Sequence, residues 1–316
     1  MVLDFHSDIW SDVARRRLMG ERDVLRRCHL PRLRQGGLEG AVFAFWAEAD
    51  DPAGNTVRLM EQAQAEAAEC DAVQIVHTVG EALQALRQGK FYIFLSVEGM
   101  AAIGEDVDWI DSYYDYGVRT AMLTWNEANA LATGALGPRD RGLTAAGRRA
   151  VRRIQDKGML MDVSHLNEKS FWDVLDVATG PICASHSNAK ALCDVPRNLT
   201  DDQLRAIRDT GGVVGLNSCR AFVAPDRPDQ TVERLARHAA HMIDVMGIEH
   251  VGCGLDFCEF LTGPGLYSEG EYTIGFEDAA KTQNLFEVFC RMGMTKEEQE
   301  RIARGNFLAL WEKTVG

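Results

Sequence analysis

Two short stretches carry side chains that could do chemistry: Val163-Ser164-His165 and Ser185-His186-Ser187. Each follows an apolar run, residues 158–162 and 181–184, and each precedes a polar turn and a helical pattern. Both histidines therefore stand where a buried strand ends and its βα loop begins. One βα unit separates them, so their strands are expected to be neighbours in a parallel sheet, about 4.8 Å apart. Two imidazoles at one height on such strands can share a cation, with metal–nitrogen bonds of about 2.0–2.1 Å.

Further ligand types stand at strand ends in the same way. The first apolar run ends in His6-Ser7-Asp8, and an H-x-D spacing puts both side chains on one face of an extended chain. Glu98 closes the run 91–97, where an acid is costly to bury without a partner and a cation removes that cost. Asp256 closes Gly252-Cys253-Gly254-Leu255-Asp256, whose glycines are expected to leave room beside an inward acid. Three carboxylates and three imidazoles with oxygen and nitrogen donors suit zinc or a similar divalent ion. They are too many for one tetrahedral site with an open position. They fit a two-metal site, with ions about 3.5–4 Å apart, a carboxylate bridging and a hydroxide between them.

The elements that must position these groups are legible in outline. Eight apolar or β-branched runs, 2–5, 40–45, 91–97, 120–124, 159–163, 182–184, 213–216 and 251–255, alternate mostly with helical patterns. Near-continuous apolar strands separated by helices indicate a parallel sheet covered on both faces. Eight such units indicate an α/β fold of the (β/α)8 TIM-barrel type, as a single domain over residues 1–316, with its site at the C-terminal ends of the strands. An open doubly wound sheet is the alternative, but no G-x-G-x-x-G follows the first run. Helices are expected over 55–71, 79–88, 144–157 and 230–246, and after the capping boxes opened by Thr200 and Thr295. The last of these is expected to break near Gly305. The Gly-rich stretch 261–275, with Tyr267 and Tyr272, reads as a lid or binding loop.

Composition narrows the function classes. The 316 residues are 46% hydrophobic and 26% charged, with a formal net charge of −13. That balance argues against nucleic acid or an anionic membrane as partner, since both need clustered Lys and Arg. The N-terminal residues lack the basic and apolar regions of a signal peptide, and no apolar run approaches the ~18–20 residues that span a bilayer. The eight cysteines are scattered without a C-x-x-C pair and read as reduced residues of a cytoplasmic protein.

The combination His6-x-Asp8, Ser96-Val97-Glu98-Gly99, Asp162-Val163-Ser164-His165, Ala184-Ser185-His186-Ser187-Asn188-Ala189, Arg197-Asn198 and Gly254-Leu255-Asp256-Phe257 resembles the membrane (renal) dipeptidase family of zinc metallopeptidases, in its bacterial cytosolic branch. The resemblance runs from residue 4 to about residue 310. It implies a barrel with two zinc ions, or other divalent metals, acting on free dipeptides, with a C-terminal D-residue accepted by relatives. It also implies a homodimer. By motif, His6 and Asp8 bind one ion, His165 and His186 the other, Glu98 bridges, Asp256 is the general acid/base, and Arg197 grips the substrate's free carboxylate. An arginine fork suits a carboxylate, and a carboxyl group at the position of Asp256 can carry a proton from water to the leaving amine.

One departure stands out. Relatives carry a histidine after Leu-Thr at the end of the fourth strand, touching the scissile carbonyl oxygen; here Trp125 follows Leu123-Thr124. Its indole offers one N–H and cannot become an imidazolium. Trp125, Asn126 and Asn129 are therefore the candidates for that contact, with Phe45 and Trp46 as candidate pocket walls. His29, His77, His238, His241 and His250 read as structural. Two other readings stay open: another metal-dependent amidohydrolase acting on a carboxylate-bearing amide, and a silent barrel that binds a peptide.

Overall fold

The computed structural model describes residues 1–47, 50–261 and 272–316. Each of the eight apolar runs contains a parallel strand, and a ninth is present among the described residues. The strands are β1 (Val2–Ser7), β2 (Leu38–Trp46), β3 (Val73–Ile75), β4 (Phe91–Glu98), β5 (Val118–Met122), β6 (Leu160–Asp162), β7 (Ile182–Cys183), β8 (Val214–Leu216) and β9 (Val251–Cys253). One sheet has the order β1-β2-β4-β5-β6-β7, with β3 beside the first half of β4; β8 and β9 pair separately. The extra strand β3 is three residues long and only partly buried, too short for an apolar run to reveal it.

The two sheets meet at both ends. Ala184, just after β7, bridges Val214 in parallel, and Ser187 N–H donates to the Gly215 carbonyl at 2.7 Å. On the other side, Asp256 N–H donates to the His6 carbonyl at 3.2 Å, and Leu255 N–H to the Asp4 carboxylate at 2.6 Å. The architecture is an α/β fold with a curled parallel sheet.

Alternation along the strands sorts their side chains. In β4, Ile93, Leu95 and Val97 join the cluster packed under the helices. Tyr92 and Phe94 face a second cluster with Leu3, Phe5, Val42, Leu160 and Cys183. Period-2 geometry then carries Ser96 and Glu98 onto the same face as Tyr92 and Phe94, further along the strand. The C-terminal helix Asn306–Thr314 closes this second cluster from the opposite mouth: Phe307 stacks on Phe5 at 3.6 Å between ring centroids, and Trp311 lies 4.1 Å from Phe94.

The capping boxes expected at Thr200 and Thr295 form in full, and Thr78, Thr144 and Thr231 also accept a backbone N–H at a helix start. The expected break at Gly305 is instead a wide π-helical turn, Arg301–Gly305, and Gly305 keeps a helical φ of −59°. The glycines before Asp256 also differ from expectation. The room they leave is taken by neighbouring chain: a Cβ on Gly252 would strike the Phe307 ring, and one on Gly254 would overlap the Ser185 carbonyl and press on the His186 Cα. Gly254→Ala should therefore destabilise the fold by about 1–3 kcal/mol, the usual range for overpacking. Urea unfolding would show this as a lower midpoint at unchanged slope; an unaltered midpoint would contradict the close approach.

Candidate metal centre

The six chemistry-bearing residues converge at the C-terminal ends of the strands. His6 lies within β1 and Asp8 just beyond it; Glu98 ends β4; His165, His186 and Asp256 stand three residues past β6, β7 and β9. His165 and Asp256 have left-handed backbone, φ 68° and 53°, uncommon for residues other than glycine. Such conformations persist only where the surroundings enforce them, and they cluster at functional sites.

Glu98 lies between the other groups. Its Oε2 is 3.2 Å from His6 Nε2, and its Oε1 is 2.8 Å from His165 Nε2 and 3.9 Å from His186 Nε2. His165 Nε2 and His186 Nε2 are 2.8 Å apart. On the far side, His6 Nε2 is 3.8 Å from Asp8 Oδ1 and 4.0 Å from Asp256 Oδ1. Two ligand sets result, His6–Glu98–His186 and His6–Asp8–Asp256, each with its donor atoms within 4.8 Å of one another. They share His6, whereas the sequence resemblance divides the ligands as His6 with Asp8 and His165 with His186.

The electrostatics call for a cation. Burial raises the pKa of Asp8 well above the ordinary range, with Glu98 adding to it, and burial also raises Asp256. Burial pushes Glu98 up too, but His6 and His165 outweigh it and hold Glu98 well below the usual range. Burial works against charge on His6, yet Glu98, Asp8 and Asp256 lift its pKa to about 10. Burial lowers His165 to about 4 and His186 well below its usual value. Two neutral imidazoles thus face a cluster of three carboxylates. His6 Nδ1 and Nε2, Asp8 Oδ1 and Glu98 Oε2 are buried without a hydrogen-bond partner. Orphaned carboxylate oxygens and imidazole nitrogens of this kind, with two neutral imidazoles beside them, fit a divalent ion.

The donors are held from behind. Asn126 Oδ1 accepts from His165 Nδ1 at 2.9 Å, which leaves the Nε2 lone pair free for a ligand. Ser185 Oγ meets His186 Nδ1 at 2.7 Å. Asp162 accepts the N–H groups of Ser164 and Ser185 and so ties the ends of β6 and β7 together. Asp4 accepts from His6 N–H at 3.3 Å as well as from Leu255. Asn217 Nδ2 donates to Asp256 Oδ2 at 3.0 Å. Asp4, Asp162 and Asn217 did not stand out as site residues in the sequence. The signal for the first two was an acid inside or ending an apolar run; Asn217 gave none beyond a polar residue after one.

Arg197 is buried beside this cluster. It donates to the His186 carbonyl at 3.1 Å and to Ser187 Oγ at 3.4 Å, while its Nε has no partner. It lines a cavity with His165 and Ser187. Trp125 is 40% exposed, 5.3 Å from Trp46 edge-on and 6.3 Å from the His165 ring. Asn129 turns inward to its own loop, bonding Leu123, Leu131 and Ala132. Phe45 packs against Trp10 and Tyr116 in the outer core. Of the Gly-rich stretch, residues 262–271 lie outside the described residues; Tyr272 and Thr273 line a small cavity with Asp256. The other histidines have structural partners: His29 with Asp12, His77 with Glu81, His238 with Ala189 and Val223, His241 with Asp201, His250 with Gly212.

Comparisons with known proteins agree on one family. The model of the membrane dipeptidase family, peptidase family M19, matches residues 1–315. An uncharacterized dipeptidase of Schizosaccharomyces pombe is 35% identical over 249 residues, 77% of this chain and 58% of the relative. An uncharacterized Klebsiella pneumoniae protein, encoded in the pqqA 5′ region, is 43% identical over 51% of this chain and 63% of its own length. The chain thus spans less than two thirds of these curated relatives. Two crystal structures align over nearly all of both chains at 25% identity. One is a metallopeptidase from Rhodobacter sphaeroides liganded with a phosphinate mimic of the dipeptide L-Ala-D-Ala (TM-score 0.88; 99% of each chain). The other is a dipeptidase of metallopeptidase family M19 (TM-score 0.89; 100% of this chain, 99% of that one). The chain belongs to the membrane dipeptidase family, peptidase family M19.

Proposed function

We propose that the protein is a metal-dependent dipeptidase, cleaving the peptide bond of free dipeptides, including those with a C-terminal D-residue. The observation that carries this reading is the convergence of Asp8, Glu98 and Asp256 with three imidazoles in one buried cluster, in which both His6 nitrogens, Asp8 Oδ1 and Glu98 Oε2 lack hydrogen-bond partners. Family membership and the Rhodobacter sphaeroides neighbour's L-Ala-D-Ala mimic support the substrate class. We read residues 1–316 as one domain, and the two sheets as one closed (β/α)8 barrel through the bridge at Ala184 and the Asp256–His6 hydrogen bond. A cytoplasmic location fits the eight free thiols, and no helix of the described residues is long and apolar enough to cross a membrane. Assembly as a homodimer belongs to the proposal on family grounds alone.

In this reading His6, Asp8, Glu98, His165 and His186 would hold two divalent ions, zinc in the first place, which would supply Lewis-acid polarisation of the scissile carbonyl and a more acidic attacking water. Asp256, held at the rim by Asn217, takes the proton of that water and returns it to the leaving amine. Arg197, with its Nε unpartnered, receives the terminal carboxylate. Trp125, exposed beside His165, forms the wall against which the scissile carbonyl lies and offers its one N–H in place of the relatives' histidine.

Three measurements test this. Wild type loaded with zinc should hydrolyse members of an L,L and L,D-dipeptide panel, and Asp256→Asn should lower kcat by about 10²–10⁴-fold, the usual share of acid–base catalysis. A fully metal-loaded wild type that cleaves no dipeptide would contradict the reading and favour another carboxylate-bearing amide. Arg197→Ala should raise KM by about 10–100-fold, the loss of a charged hydrogen bond; an unchanged KM would remove Arg197 from carboxylate binding. Chelation should abolish hydrolysis and lower the melting temperature, because Asp8, Glu98 and Asp256 then face one another unscreened, and added zinc should restore both. Indifference of both readouts to chelator would rule out a metal at this site.

A further inference from the structure

Asn217 is fully buried at the end of β8, and every polar atom it has is engaged. Asn188, from the loop that carries His186, grips its backbone twice: Asn217 N–H donates to Asn188 Oδ1 at 3.0 Å, and Asn188 Nδ2 donates to the Asn217 carbonyl at 2.9 Å. The Asn217 side-chain oxygen accepts the Cys219 N–H at 2.7 Å. That bond decides which way the amide faces, since turning it over would set an NH₂ against an N–H. The nitrogen is therefore directed at Asp256 Oδ2, 3.0 Å away, with the His186 carbonyl at 3.5 Å as a weaker second acceptor.

The consequence falls on Asp256. Its backbone is left-handed, and its N–H is tied to the His6 carbonyl, so the peptide cannot swing. The carboxylate can still rotate about its own axis. Asn217 takes one oxygen, Oδ2, and leaves Oδ1 facing His6 Nε2 at 4.0 Å, where its own hydrogen-bond donor is the weak Cys258 thiol at 3.5 Å, shared with the Asp256 carbonyl at 3.3 Å. We propose that Asn217 is a positioning residue for the reaction: it pins Asp256 by Oδ2 and so presents Oδ1 alone to the reacting atoms, while Asn188 fixes Asn217 and couples the loops after β7, β8 and β9. This rests on the reading of Asp256 as the acid/base. Asn217 acts through Asp256, since all its polar atoms are bonded to protein groups.

The test is a double-mutant comparison on the full chain loaded with zinc. Asn217→Ala and Asn217→Ser are made in the wild-type and Asp256→Asn backgrounds. The readouts are kcat and KM on a dipeptide that wild type cleaves, bound zinc, and thermal unfolding. Serine keeps a group able to accept the Cys219 N–H but is too short to reach Asp256, so it carries the comparison if alanine does not fold. Expected is a fall in kcat of about 10–100-fold, the common cost of losing an outer-shell partner, with KM and bound zinc unchanged. In the Asp256→Asn background neither substitution should lower kcat further. The inference is overturned if kcat falls by the same factor in both backgrounds, if zinc is lost in step with activity, or if the Asn217 variants match wild type while Asp256→Asn is impaired. Full activity in Asp256→Asn alone would instead remove the acid/base reading, and this inference with it.

Discussion

The structure turns on negative charge held where water is scarce. Asp8, Glu98 and Asp256 are buried or nearly so at the strand ends, and their partners His165 and His186 are kept neutral by burial. An ion buried without compensation costs several kcal/mol even after relaxation. Beside His6, Arg197 is a nearby cation, and its own burial already works against its charge. His6 alone cannot balance three acids. A divalent ion removes this cost and gives the orphaned donor atoms a partner.

The rest of the fold serves to hold that charge in place. Along β4, one face runs from Tyr92 and Phe94, packed on Phe5 and Trp311, up to Ser96 and Glu98. The lower part is oil and the upper part is the site, on one strand and at one periodicity. Cross-ties then set the ligands relative to one another. Asp162 joins the ends of β6 and β7, Asp4 joins β1 to the segment after β9, and Asn188 joins the loop after β7 to β8. Gly254, in contact with the Ser185 carbonyl, lets the β9 end approach close enough for Asp256 to reach the cluster.

The sequence made the ligands legible because each stands at the end of an apolar run, where a charge needs a reason. It made the parallel strands legible for the same cause, continuous apolar stretches broken by capped helices. The pieces it hid depend on contacts between segments far apart in the chain. Strand β3 is a three-residue edge to β4 and carries no pattern of its own. Helix Ile9–Leu18 begins directly after Asp8, and its last turn is Arg15-Arg16-Arg17, so its apolar face is masked by charge. Asn126 read as a group for the substrate, whereas its oxygen meets His165. Asp4, Asp162 and Asn217 gain their roles only from hydrogen bonds across strands, and no spacing in the chain announces those.

The carboxylate–imidazole cluster is proposed to hold two divalent ions. Anomalous diffraction at the zinc edge, on crystals of the full chain grown with zinc, tests this most directly. Two peaks are expected on either side of Glu98, one toward His6 and Asp8 and one toward His165 and His186. No peak within bonding distance of Glu98, or zinc bound only at surface acids, would contradict the proposal.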